Sequence, residues 1–394
     1  MSILKLFNYF KILFFAKFSF SIPKNREIIV FDDTSIEQLK PIIKNFNYFI
    51  LETRFENLKN IYFTKKIICS TFQNIKIGFF NSYLLSLIDQ VNPQLILTFI
   101  DNSHKFSIFA KIKKDNYKFV AIQNGARYEH KIINLLKKKK INVELEKFFI
   151  PYFFCFGKNE IRDYKKNNQK VGKFDVVGSL RLSNFLVSQK IFKKKSIIKK
   201  TNDILLISDV YCWDKFLEKL NFPIERGLIN LIKFSIKFSK RHKFKMKIAA
   251  RSRSNNFKKE REFYKKNLSK IEYEFLLKNI FFRSDNHKTY KIMRKSKIVI
   301  GTMSTMLREN LSLNGKTFAC NFTKTNIFDF PIDGLCFSKD MNYKNFEKQL
   351  LKIYKIPLNK YFNNLSNTKD YVCQNKSYET IKLINQKLRF MIKN

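Results

Sequence analysis

Short apolar runs recur along the chain, each about the length of one strand, and each hands over to a segment whose apolar positions return every three or four residues. EIIVFDD (27–33) precedes SIEQLKPIIKNF, NYFILETR (47–54) leads on to NSYLLSLIDQ, QLILTFIDN (94–102) precedes SHKFSIFAKIKKD, and KFVAIQNGAR (118–127) follows. The runs do not alternate apolar with polar, which marks strands buried on both faces, and their alternation with helices implies a parallel sheet. YFFCFGKNE (152–160) and KFDVVGSLR (173–181) extend the pattern.

A basic stretch, SNFLVSQKIFKKKSIIKKTN, breaks the rhythm before DILLISDV (203–210) restarts it. Strands are then expected at KFKMKIAAR (243–251), NIFFRS (279–284), KIVIG (297–301) and KTFACNF (316–322), with helices between them. The reading is α/β, with two Rossmann-like parallel-sheet domains over 24–190 and 200–378, the boundary falling within 182–202. ETIKLINQKLRFMIKN (379–394) is a terminal helix expected to pack back across the first domain. At 394 residues with 45% hydrophobic content, the chain has material for two cores.

Residues 1–23 form a separate amphipathic segment. As a helix, MSILKLFNYFKILFFAKFSF offers Leu6, Tyr9, Phe10, Leu13 and Phe20 as an apolar face, but Lys5, Lys11 and Lys17 interrupt it. No span approaches the roughly 20 apolar residues that a bilayer crossing requires. No small-residue cleavage site follows, so the segment does not read as a secretory signal. Lying in a membrane interface and packing on the protein's own surface are both open to it.

Charge is extreme, with 77 Lys+Arg against 32 Asp+Glu. Only fourteen of the basic residues are Arg, while Phe, Asn and Ile are abundant and Gly and Pro scarce, which points to a compositional drift as much as to a polyanionic partner. No RNP-like strand or zinc knuckle accompanies the charge, so no specific nucleic-acid partner is expected. The six cysteines are far apart, with no CxxC pair and no histidine at ligand spacing, which argues against a metal site and for reduced core thiols in a cytoplasmic protein.

In open parallel sheets, ligands bind beyond the carboxyl ends of the strands. Those ends carry Asp32, Arg54, Asp101, the group Gln123, Asn124, Gly125 and Arg127, Arg181, Arg251, and the loop Gly301, Thr302, Ser304 and Thr305. Gly125 is expected to allow a tight turn, with positive φ open to it, and close backbone approach, and Gln123 and Asn124 to match sugar hydroxyls. Strand 297–301, its small polar loop and the helix that follows present unpaired N–H groups suited to a phosphate, with Glu309 placed to reach a ribose hydroxyl; ordinary N-capping with a surface Glu explains the same pattern. Arg54 and Arg127 suit an acidic ligand group, or pairing with Asp32 or Asp33.

Strand, Gly301-Thr302-x-Ser304-Thr305, a helix carrying Glu309 and then Gly315-Lys316 resemble the donor-binding segment of GT-B glycosyltransferases and their relatives, the nucleotide-sugar 2-epimerases and wall-polymer glycerophosphotransferases. IVFDDTS (29–35), LETRFENL (51–58), TFIDNSHKF (98–106) and AIQNGAR (121–127) are similar to bacterial surface-carbohydrate biosynthesis proteins. Where those relatives often carry His-Gly, this chain has Asn124-Gly125, so their histidine chemistry does not transfer.

The resemblance implies a GT-B-like glycosyltransferase without metal or cofactor, taking a nucleotide-activated sugar to a surface glycan or lipid-linked acceptor. Arg251, Gly301, Thr302, Ser304, Thr305 and Glu309 would hold the donor. Asp101, or His104 one turn later, would act as base; Asp101 also reads as a plain helix cap. Transfer of a glycerophosphate-type group from a CDP-activated donor, and a non-catalytic scaffold, are the alternatives. Location is expected to be cytoplasmic, peripheral on the inner face of the membrane, with an anionic lipid surface as partner.

Overall fold

The computed structural model describes residues 12, 14–128, 131–132, 148–190, 199–210, 224–283, 287–366 and 378–394. Among the described residues, fourteen strands run in chain order as β1 (Lys17–Ser19), β2 (Ile28–Phe31), β3 (Tyr48–Leu51), β4 (Asn60–Tyr62), β5 (Leu95–Thr98), β6 (Lys118–Ile122), β7 (Phe149–Cys155), β8 (Lys170–Val176), β9 (Asn202–Ile207), β10 (Met246–Ala249), β11 (Ile280–Phe281), β12 (Ser296–Gly301), β13 (Lys316–Cys320) and β14 (Phe337–Ser338).

Two six-stranded sheets are built from twelve of them, in the orders β3-β2-β5-β6-β7-β8 and β11-β10-β9-β12-β13-β14. Every neighbouring pair is parallel. The apolar runs supply the buried strands: all of Ile28–Phe31 and all of Leu95–Thr98 are buried, as sheets covered by helices on both faces require. Strand order reverses between β2 and β5 in the first sheet and between β9 and β12 in the second. These reversals place two crevices at the carboxyl ends, since the connections on either side of each lead away in opposite directions.

Helix Tyr378–Lys393 returns to the first sheet: Ile384 and Leu388 are fully buried beside Val30, Leu97 and Val120. Lys387 pairs with Asp175 at 2.6 Å, and Lys118 donates to the Met391 carbonyl at 2.6 Å. The helical reading of the first twenty residues is corrected at its end. Lys17–Ser19 is strand β1, paired in parallel with β4, and KFSFS alternates with the period of a strand rather than a helix. Leu6, Tyr9, Phe10 and Leu13 lie outside the described residues. Strand β14 and the small β1–β4 sheet were not expected, being only two and three residues long.

Candidate functional site

The two reversal points face each other. From the first sheet, the exit of β6 reaches across: the Ala126 N–H donates to Thr305 Oγ1 at 2.8 Å, and the Tyr128 hydroxyl donates to the Met303 carbonyl at 3.0 Å. Asp101, after β5, is buried and takes Arg127 Nε at 2.8 Å on one oxygen. Its other oxygen accepts Arg127 Nη2 and the Asn124 N–H, the latter at 3.1 Å. Arg127 also donates to Asn124 Oδ1, so arginine, asparagine and aspartate form one rigid unit.

Gln123 is buried with both ends of its amide committed, donating to the Gly125 carbonyl at 3.0 Å and accepting the Phe156 N–H at 2.9 Å, so it ties β6 to β7 and leaves the sugar to others. Gly125 does not have the positive φ that only glycine takes easily, and a Cβ there would meet Thr305 Oγ1 at 3.5 Å, an ordinary contact. The glycine that does need its freedom is Gly178, leaving β8 with φ 89°.

Asp32 ends β2 with φ 80°, a strained backbone for a residue with a side chain. Its carboxylate accepts the Thr34 N–H at 2.8 Å, the Thr53 hydroxyl at 2.9 Å and Arg54 Nε at 3.1 Å. Burial pushes this carboxyl up, but the Thr34 and Thr53 hydrogen bonds and the Arg54 charge together hold it below its ordinary value. Arg54 therefore pairs with Asp32, while Arg127 pairs with Asp101 instead of either aspartate of that end. His104 opens helix His104–Lys113, exposed, with its ring edge-on to Phe148 at 6.4 Å.

Across the cleft, Asp209 at the exit of β9 is buried and accepts the Met303 N–H at 3.1 Å, holding the loop 301–304 against its own strand. Burial raises its pKa, opposed by the Met303 N–H and by Arg251 and Arg283. Ser304 caps helix Thr305–Ser312, accepting the Met306 N–H at 3.4 Å. Gly301 and Thr302 are buried beneath that loop.

Arg251 is exposed, and its backbone is fixed by an acid that the sequence did not single out. Buried Glu260 accepts the Arg251 N–H at 3.0 Å and the Ser252 N–H at 2.8 Å. Tyr264, bonded to Glu260 at 2.5 Å and to Ser208 at 2.7 Å, completes the anchor. A charged helical run with tyrosine four residues after glutamate carries no mark that distinguishes this role from a solvated face.

Glu309 departs from the expectation that it reaches a ribose. It is buried, and its oxygens accept Ser179 Oγ at 2.6 Å and the Tyr290 hydroxyl at 2.9 Å. Burial raises its pKa, opposed by those two bonds and by Arg181 and Arg283. Ser179 belongs to the first domain, so the carboxylate is committed first to joining the domains. Arg181 is exposed, with its guanidinium over Phe99 at 5.4 Å.

Among the described residues, no cluster of His, Cys, Asp or Glu could hold a metal ion. Cys155, Cys320 and Cys336 are buried thiols, whereas Cys69 is exposed, against the expectation of core cysteines.

No family model matches the chain, and no curated protein matches its sequence at a significant level. Solved structures do match in shape. MnaA from S. aureus, in complex with UDP, superposes with a TM-score of 0.56 at 15% identity over 94% of this chain and 97% of that one. The UDP-GlcNAc 2-epimerase from Neisseria meningitidis, bound to UDP-GlcNAc, gives 0.53 at 14% over 93% and 99%. The wall teichoic acid polymerase TagF gives 0.51 at 10% over 93% and 89%. The fold is GT-B-like. With identities this low the likeness establishes architecture, and the chemistry has to be argued from the cleft's own residues.

Proposed function

We propose that the chain is a glycosyltransferase that moves a sugar from a nucleotide-activated donor to a surface glycan or lipid-linked acceptor. The observation that carries this reading is the meeting of two switch points, with helix Thr305–Ser312, Arg251 and Arg283 on one side and the Asp101–Arg127 unit on the other. The helix N-terminus and the arginines suit a departing diphosphate, drawing charge stabilisation from fixed N–H groups and cations, so the reading calls for no metal. That two of the similar structures are described as bound to UDP or UDP-GlcNAc supports a nucleotide at the corresponding crevice.

Asp101 is assigned to positioning Arg127. Both Asp101 oxygens already accept, from Arg127 and from the Asn124 N–H, and proton removal from the acceptor falls to His104, exposed at the same end of the first sheet. Donor contacts are assigned to Arg251, Ser304 and Thr305, with Arg54 and Arg181 facing the acceptor. Transfer of a glycerophosphate-type group from a CDP-activated donor is a second reading, favoured by the likeness to TagF, and it uses the same phosphate-binding elements.

Turnover with UDP-sugars and CDP-activated glycerol, each with and without a lipid-linked glycan acceptor, tests the proposal. Nucleotide release that needs both a sugar donor and the acceptor supports it. Release from the CDP donor alone moves the assignment to the second reading, and epimer formation without acceptor, or no turnover of any donor by folded protein, overturns both.

A further inference from the structure

Of the fourteen large apolar side chains that stand exposed among the described residues, five lie between 14 and 22 and four between 63 and 79. The two stretches meet in the small sheet, where Phe18 is paired with Ile61 and the Phe63 N–H donates to the Ser19 carbonyl at 2.7 Å. Phe20 and Phe63 then touch edge to face at 6.3 Å. Beyond Phe63, helix Lys65–Gln73 exposes Lys65, Cys69, Phe72 and Gln73, positions that share one helical face, and Phe72 meets exposed Phe79 at 6.1 Å. The two exposed aromatic pairs are joined along the chain by strand β4 and this helix, and Phe14 and Phe15, each 80% exposed, precede β1.

Its charge is one-signed. Neither 14–26 nor 59–82 contains a single Asp or Glu, and exposed Lys17, Lys24, Lys65, Lys66 and Lys76 rim the aromatics. Exposed phenylalanines cost free energy in water unless something covers them. A second copy of the same face would bring two cationic rims together, which disfavours self-association. We propose that this face seats the protein on an anionic bilayer surface, phenylalanines in the headgroup region and lysines against the lipid phosphates.

The placement suits the site. Lys59 and Asn60, at the start of β4, donate their N–H groups to Glu52 at 2.8 and 3.1 Å, and Lys59 Nζ pairs with Asp33 at 3.4 Å. The face thus borders the sheet end that carries Asp32 and Arg54. That a lipid-linked acceptor enters from it rests on the transferase reading; the seating itself does not.

The test is flotation of the full-length protein with vesicles of phosphatidylcholine alone and of phosphatidylcholine doped with phosphatidylglycerol. Salt dependence is measured, and the variants are Phe14→Ser/Phe15→Ser/Phe20→Ser, Phe63→Ser/Phe72→Ser, and Lys65→Glu/Lys66→Glu. The expected result is salt-sensitive binding to the anionic vesicles only, reduced roughly tenfold or more by each variant, with thermal unfolding and any nucleotide-induced shift unchanged. Absence of binding to anionic vesicles, or binding that all three variants retain, overturns the proposal. So does a concentration-dependent dimer in sedimentation that these variants abolish without affecting vesicle binding. Loss of nucleotide response in wild-type protein that still binds vesicles would count against the transferase reading alone.

Discussion

Arg308 and Glu160 form an ion pair at 2.5 Å between the two domains, with 7% and 6% of their side chains exposed. Arg308 lies on the helix that opens with Thr305, and Glu160 on the helix that leaves β7. Burial pushes the Glu160 carboxyl up, and Arg308 opposes it. Removing one partner strands a buried charge, a loss of about 3–5 kcal/mol, whereas replacing both with apolar residues of similar size is near neutral. Arg308→Met alone is therefore expected to lower the urea midpoint strongly and Glu160→Leu/Arg308→Met to restore most of it; equal losses in both would show that the pair is not the interdomain tie.

Glu309 titrates in the opposite sense to a surface carboxylate. Its pKa is raised in the fold, first by burial, from an ordinary value of 4.5. The folded state then holds the proton more tightly than the unfolded chain, so this contribution to stability is complete below 4.5 and is lost as pH climbs through the raised value. Unfolding free energy of the wild type minus that of Glu309→Gln should fall as pH rises from about 4.5. Urea titrations over a pH series measure it, and a difference that grows with pH would mean that Ser179 and Tyr290 favour the ionised form over burial.

Gly227 sits inside helix Ile224–Arg241, where alanine would ordinarily gain up to about 1 kcal/mol of helix propensity. Here a Cβ would come within 2.6 Å of the Phe322 carbonyl carbon and 2.8 Å of the Thr323 nitrogen. Backbone atoms cannot rotate aside, and overpacking of this kind costs about 1–3 kcal/mol, so the steric term wins. Gly227→Ala should lower the melting temperature; an increase would show that the loop after β13 yields.

The sheet strands were legible because apolar runs buried on both faces do not depend on what they touch, and nearly every long run became a strand. Site positions at the strand ends were legible for the same reason: a parallel sheet puts them at one edge. What the residues do there was not. Asp101 and Arg127 are 26 residues apart and Ser179 and Glu309 are 130 apart, so each partnership exists only once the sheets are assembled. Gln123 and Glu309 read as ligand groups because their side chains suit ligands, and the fold uses them for itself. Residues 17–19 read as helix because three lysines at wide spacing masked a two-residue alternation.

Asp101 and Arg127 separate a positioning role from a basic one. If Asp101 orients Arg127, Asp101→Asn keeps one acceptor oxygen but loses the charge-assisted pair, and turnover should fall about 10–100-fold with the pH profile unmoved. A general base lost in the same variant would also erase the acidic limb of the profile. The pH dependence of kcat/KM in wild type, Asp101→Asn and His104→Gln checks the assignment, and disappearance of the limb in Asp101→Asn would return the base to Asp101.

Arg251 offers the most direct measure of the donor site, because its guanidinium is exposed while its backbone is locked by Glu260. Arg251→Ala removes the cation and leaves that anchor intact, so the fold should survive. A nucleotide at 100 times its dissociation constant adds about 2.7 kcal/mol of stability to a protein that binds it only when folded. Thermal shift against a panel of nucleotides and nucleotide sugars should show one base favoured by the wild type. In Arg251→Ala that shift should be largely lost, because one charge-assisted contact to phosphate is worth about 1.5–3 kcal/mol. Glu260→Gln provides the internal comparison: it leaves the guanidinium in place but loosens the loop that carries it, so it should weaken the shift less than Arg251→Ala while lowering stability more. A shift that is the same in all three proteins would place the nucleotide away from the exit of β10.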